Sequence, residues 1–276
     1  MLNNTYAYVR ARWVILVSII GFVAPAFVFD LNQPLENAVY YLVSYSLIGL
    51  LLWWIWGRNL ESKDVFGTVP NGEEAWICLM LGTPSVCAHY AGKYLLFVPL
   101  SFVVPQFVSW WLFETSTTLF DMSFTREAML VNGLMAFNLV ILVPIVEEIV
   151  FRGFLLHRWC EKFGEKRGVV LSSMLFSIIH KDILGNLVVS VIVSVFCLHR
   201  KSLVGPILIH AGNNLMVVIV VLFVWVVGGE VVGPLAASTV EEFRSGWWFG
   251  AFTAVVSVPW LYWFVKTRLL ESNASC

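Results

Sequence analysis

Apolar residues in this chain fall in long blocks separated by short polar stretches. Blocks long enough, or nearly so, to cross about 30 Å of hydrocarbon occupy 13–29, 38–56, 94–113, 128–156, 168–183, 185–198, 203–227 and 247–265. The block 76–90 is also apolar, but it is short and interrupted by Gly82-Thr83-Pro84, so it reads as an interfacial or re-entrant piece. Lys and Arg placement supports this division. Arg10 and Arg12, Arg58 and Lys63, the loop 157–167, Arg200 and Lys201, and Lys266 and Arg268 all fall in alternate connections, whereas 30–37 and 228–246 are acidic. Short cytoplasmic loops collect basic residues. The pattern therefore predicts an all-α, polytopic transmembrane helix bundle of about eight spans, with both termini cytoplasmic. Ala24-Pro25-Ala26 resembles a signal-peptidase site, but the run before it is long enough to read as a first membrane anchor.

Composition fits a protein whose solvent is lipid. Of 276 residues, 59% are hydrophobic and only 13% charged, against about 25% charged in a typical soluble domain. The apolar blocks leave no stretch for a separate soluble core, so residues 1–276 are expected to form a single membrane domain. A formal net charge of −1 argues against a nucleic-acid partner. The five cysteines form no CxxC pair and read as reduced and structural. No internal repeat or inverted pair of broken helices is evident, which disfavours a transporter.

Within the fourth block, Pro144-Ile-Val-Glu-Glu-Ile-Val-Phe-Arg-Gly153 places three ionisable residues among apolar neighbours. A charge near the bilayer centre costs roughly 3 to 15 kcal/mol before partners recover part of it. On a helix Glu148 and Arg152 stand at i and i+4 with the acid on the N-terminal side, the favourable order for an ion pair. Glu147 is rotated about 100° away, and its local neighbours are all apolar. Its partner must come from another helix or from water. Two other acidic pairs, Glu73-Glu74 and Glu241-Glu242, lie in polar loops and read as solvated turns.

His180 and His210 are the candidates to meet Glu147. Counted from the nearest basic loop at 1.5 Å per residue, Glu147, His180 and His210 lie about 15, 20 and 14 Å deep, with Asn214 near 20 Å. Unrelated polar residues would scatter in depth, so this coincidence predicts one polar cavity open to the cytoplasm. His210 and Asn214 share a helix face at i and i+4, as do Phe176 and His180. His89, His157 and His199 lie at predicted edges and need no function.

The segments EEIVFRG (147–153), FSIIH (176–180) and HAGNN (210–214) resemble, in order and spacing, the three motifs of the CAAX protease and bacteriocin-processing (CPBP) intramembrane proteases. This resemblance covers about residues 125–225, a CPBP-like core. It implies an eight-helix membrane fold, peptide-bond hydrolysis, a glutamate as general base, and an oxyanion site at His210 and Asn214. It offers no signature for the first half of the chain.

The chemistry agrees with that implication. Amide hydrolysis needs an activated water, a stabilised oxyanion and a proton for the leaving amine. Glu147 is expected to act as base and then acid, with His180 holding the water or Glu147 itself. His210 and Asn214 would donate to the oxyanion, and Glu148, Arg152, Phe176 and Asn213 would support them. The substrate is expected to be a peptide or membrane-protein segment, with prenylated tails and leader peptides both suitable, and no cofactor is required. One rival is a zinc-dependent protease using the same Glu and two His. Against it, HExxH and its reverse are absent and no carboxylate is evident beside either histidine. The other rival is a non-catalytic membrane scaffold or immunity protein, which would have no use for the buried charge.

Overall fold

The computed structural model describes residues 9–57, 62–114, 119–121, 123, 125–226 and 237–270. The basic position Arg58, residues 228–236 of the acidic loop and Cys276 lie outside them. Among the described residues the chain is helical and no β-strand forms. The principal helices are α1 (Ala11–Val23), α2 (Pro34–Trp56), α3 (Gly72–Val103), α4 (Arg126–Phe163), α5 (Glu165–Ile178), α6 (Ile183–Arg200), α7 (Val204–Val226) and α8 (Trp247–Phe264). Six of these, all but α1 and α5, are long and apolar enough to cross a bilayer. The chain is an integral, multi-pass membrane protein.

Three segments differ from the sequence expectation. The segment 76–90 is not a separate interfacial piece. It is the first half of α3, which continues through Gly82-Thr83-Pro84 to Val103. These residues permit close packing rather than breaking the helix: a Cβ on Gly82 would stand 2.1 Å from the Gly212 carbonyl carbon. The expected span 94–113 accordingly ends early. Val104 leaves the helix at φ −134°, ψ 62°, because the residue before a proline, here Pro105, is disfavoured in helical geometry.

The expected span 168–183 is also shorter. α5 stops at Ile178, and His180-Lys181-Asp182 form the turn into α6. Three consecutive ionisable residues are poor material for a lipid-facing helix. The turn is anchored by Trp111, whose ring N–H donates to the Lys181 carbonyl at 2.9 Å.

Close helix crossings hold the bundle together. A Cβ on Gly92 would lie 2.2 Å from the Gly185 nitrogen, and one on Gly212 would lie 2.0 Å from the Leu79 carbonyl oxygen. α3 thus meets α6 and α7 backbone to backbone, as small residues allow where lipid supplies no hydrophobic drive. On the other side, Val14, Tyr45, Ile48 and Leu52 of α1 and α2 pack with Val146, Phe151 and Phe154 of α4. Cys78, Cys87, Cys160 and Cys197 are free thiols.

Candidate active site

The course of α4 follows from Pro144. Proline has no N–H to give, so the helix cannot keep its regular ladder there. It widens to π-helical turns at Asn138–Leu142 and again at Ile149–Leu156, a form often found at functional sites. The Val143 N–H reaches back to Asn138, and the next residue, Pro144, has none to offer Leu139. The Leu139 carbonyl is instead satisfied from outside, by the Asn214 side-chain N–H at 2.7 Å. Further along, the Ser172 hydroxyl donates to the Phe151 carbonyl at 3.0 Å, and the His157 ring meets the Arg152 carbonyl at 2.6 Å.

These turns aim the two glutamates differently. Glu148 and Arg152 pair at 2.8 Å, each side chain only 2% exposed. The Arg152 fork extends to Ser190 on α6 at 2.8 Å, and its guanidinium lies 4.4 Å from the Phe176 ring centre. The same Glu148 oxygen faces His210 Nδ1 at 3.0 Å. Glu148 is therefore the carboxylate beside a histidine that the sequence did not reveal, since 62 residues separate the two.

Glu147 points into a cavity of about 610 Å³ that is also lined by His180, His210 and Asn214. The four candidates thus line one cavity. One Glu147 oxygen accepts the Tyr45 hydroxyl at 2.6 Å. Its other oxygen, Oε2, is buried with no hydrogen-bond partner. Oε2 stands 4.0 Å from His180 Nε2 and 3.9 Å from His210 Nε2. Tyr45, on α2, was missed because an apolar run containing Tyr40, Tyr41 and Tyr45 gives no sign of which one faces the site.

Ring orientations follow from the remaining contacts. His180 Nδ1 lies 2.6 Å from the Phe176 carbonyl, which can only accept. His210 Nδ1 faces a carboxylate. Both Nδ1 atoms therefore carry the proton, and in a neutral ring each Nε2 presents a lone pair toward Glu147. Phe176 packs on both rings, 4.4 Å from that of His180 and 5.9 Å from that of His210. Asn213 donates to the Asn214 side-chain oxygen at 3.2 Å, fixing its amide.

Residues 130–216 match the family of type II CAAX prenyl endopeptidase Rce1-like proteins. Over that segment the chain is similar to this CAAX protease-like family. The match takes in all three motifs and 87 of 276 residues, from 130 to 216 inclusive, and leaves α1 to α3 and α8 outside it. No curated protein and no solved structure matches the chain.

Proposed function

We propose that this Rce1-like protein is an intramembrane endopeptidase in which Glu147 activates the hydrolytic water. The observation that carries the reading is Glu147 Oε2, a buried, unpartnered carboxylate oxygen about 4 Å from two imidazole nitrogens. That separation suits one bridging water. With one O–H hydrogen-bonded to Glu147 Oε2 and the other to His180 Nε2, such a water keeps a lone pair for a substrate carbonyl and passes one proton to Glu147 as it attacks. Tyr45 holds the other Glu147 oxygen and fixes the direction of attack.

The tetrahedral oxyanion needs donors. The Asn214 amide spends one N–H on Leu139 and retains the other. His210 can donate from Nε2 only as an imidazolium, and Glu148, at 3.0 Å from Nδ1, is placed as its counter-charge. Glu147 then returns its proton to the leaving amine. The wide apolar cavity, lined by Ile15, Phe22, Tyr41 and Ile179 among others, accepts a peptide or membrane-protein segment, with prenylated tails and leader peptides as candidate classes. The membrane orientation that goes with this reading has both termini and the cavity mouth on the cytoplasmic side of one membrane domain.

One observation favours a second reading. Glu148 beside His210 supplies the outer carboxylate that zinc-bound histidines usually have, and two Nε2 lone pairs face one carboxylate. Among the described residues, no cluster of three or more His, Cys, Asp or Glu side chains has the geometry of a metal site. Both readings meet in one experiment. Membranes from cells carrying the native protein and from cells carrying Glu147→Gln are compared for peptide fragments, and the purified native protein is assayed before and after chelation. The glutamate mechanism requires fragments that only the native protein produces, and activity that survives chelation. About one zinc per chain, lost and regained together with activity, would establish the metal reading instead.

A further inference from the structure

A second polar cavity, of about 220 Å³, lies at the turn that follows His180. Its lining includes His89, Tyr90 and Lys93 of α3, Lys181 and Asp182 of the α5–α6 turn, and Val217 of α7. It begins one residue beyond His180 and three residues beyond Asn214, both of which line the first cavity.

The charges here do not balance. Asp182, the acid of the group, is already engaged: one oxygen lies 3.4 Å from His89 Nδ1 and the other accepts from Asn186 at 2.5 Å. Lys93 stands in the field of Asp182 and of Lys181 but forms no ion pair among the described residues. Its ammonium lies 5.7 Å from the Phe243 ring centre, a contact that does not neutralise it. His89 Nε2 is buried without a hydrogen-bond partner. The N-terminus of α6, an 18-residue helix, adds its partial positive charge at the same place. A lysine within a membrane-spanning helix is costly unless an anion meets it.

We propose that this cavity is a carboxylate-binding subsite for the peptide substrate, with Lys93 as its anchor. The proposal rests on the peptidase reading for its purpose, but the anion site is defined by its own residues. Lys93 and Lys181 against Asp182 leave one net positive charge with His89 neutral, which one carboxylate matches and a phosphate dianion would exceed. Asn214 and Val217 are about 4.5 Å apart along α7, and an extended peptide advances about 3.3 Å per residue. A peptide whose scissile carbonyl lies at Asn214 can therefore place a carboxylate at Lys93 within a few residues of the cleaved bond. That carboxylate is a free C-terminus or an acidic side chain.

The test uses full-length Glu147→Gln protein in detergent micelles and a dye-labelled apolar tetrapeptide in three forms: the free acid, the C-terminal amide, and the amide with Asp at the last position. Fluorescence polarisation should show at least one acidic form binding about tenfold or more tightly than the plain amide, the scale of a charge-assisted hydrogen bond. Which acidic form prevails identifies the source of the carboxylate. Lys93→Met should abolish the preference and Lys93→Arg should retain it. The ratio is read within each variant, so partial unfolding lowers all forms alike. Equal binding of the three forms, no binding of any, or a preference that survives Lys93→Met overturns the subsite. An acid preference in a protein whose native form cuts no peptide would leave the subsite standing and remove the peptidase reading; cutting without the preference would do the reverse.

Discussion

Glu147-Glu148 and Glu241-Glu242 are the same dipeptide in two regions of one chain. At 241–242 the acids begin a short helix, Val240–Ser245, in a connection outside the long apolar spans. The Glu241 side chain is 80% exposed, and Glu242 bonds to Ser238 and Thr239, no more than four residues away. At 147–148 the side chains are 12% and 2% exposed. Glu148 has Arg152 one turn away, but the other partners of the pair, Tyr45 and His210, lie 102 and 62 residues away. A local pair can be satisfied by the nearest backbone and by water. A buried pair must be satisfied by the fold, so changing it reports on the whole bundle.

The widest separation between the two regions should appear in turnover. Glu147→Gln removes the proton acceptor while keeping shape and the Tyr45 contact, and should lower turnover by about 10² to 10⁴-fold, the range for a general base. Glu241→Gln should leave turnover unchanged within error. Both are read as product formed per folded molecule; near-native turnover by Glu147→Gln would end the base assignment.

Next in size is the ion pair. Arg152→Met leaves the Glu148 charge buried with only His210 beside it, and breaking a buried pair from one side costs about 3–5 kcal/mol. Arg152→Met with Glu148→Gln should recover part of that loss, because the orphaned charge is gone. Thermal unfolding in detergent checks the order: native above the double variant, the double above Arg152→Met. A single variant as stable as the native protein would show that the pair is not a strut of the bundle.

How much of this was legible in the sequence depended on distance along the chain. The pairing of Glu148 with Arg152 followed from one helical turn. The convergence of Glu147, His180, His210 and Asn214 followed from counting residues between charged loops. The widened turns at 138–142, though a consequence of Pro144, showed their use only once the Leu139 carbonyl was seen facing Asn214. Tyr45, Ser190 and the contact of Glu148 with His210 could not be read, because nothing local distinguishes a tyrosine or serine that faces the site from its neighbours. The length of α3 was misjudged because glycine and proline signal a break in water, whereas here they permit close crossing.

A smaller effect should follow from Tyr45→Phe. The lost hydrogen bond is made to a carboxylate, and such bonds contribute about 1.5–3 kcal/mol, or roughly 10 to 100-fold if all of it acts on turnover. The effect should fall on the turnover number rather than on KM, since Tyr45 holds the base and not the substrate. A change confined to KM would instead make Tyr45 a wall of the substrate cavity.

The smallest effect belongs to the other glutamate pair and depends on pH. The backbone N–H and hydroxyl of Ser238 donate to the Glu242 carboxylate, and Thr239 completes a reciprocal cap in which the Glu242 N–H bonds back to its side chain. These bonds hold the Glu242 carboxyl below the usual carboxylate range, those from Ser238 having the largest influence. A carboxyl lowered in the folded state binds fewer protons there than when unfolded. Its contribution is thus fully present above the ordinary carboxylate range and is lost as pH falls through the lowered value. Hydrogen exchange at the amides of residues 239–243, corrected for the intrinsic pH dependence of exchange, should show protection that fades on acidification. Thr239→Ala should weaken that protection at neutral pH and flatten its pH dependence, leaving the unfolding midpoint of the bundle unchanged. If acidification through this range instead loosened 239–243 and the 147–156 segment together, the two regions would be coupled, and the contrast between a local pair and a global one would fail.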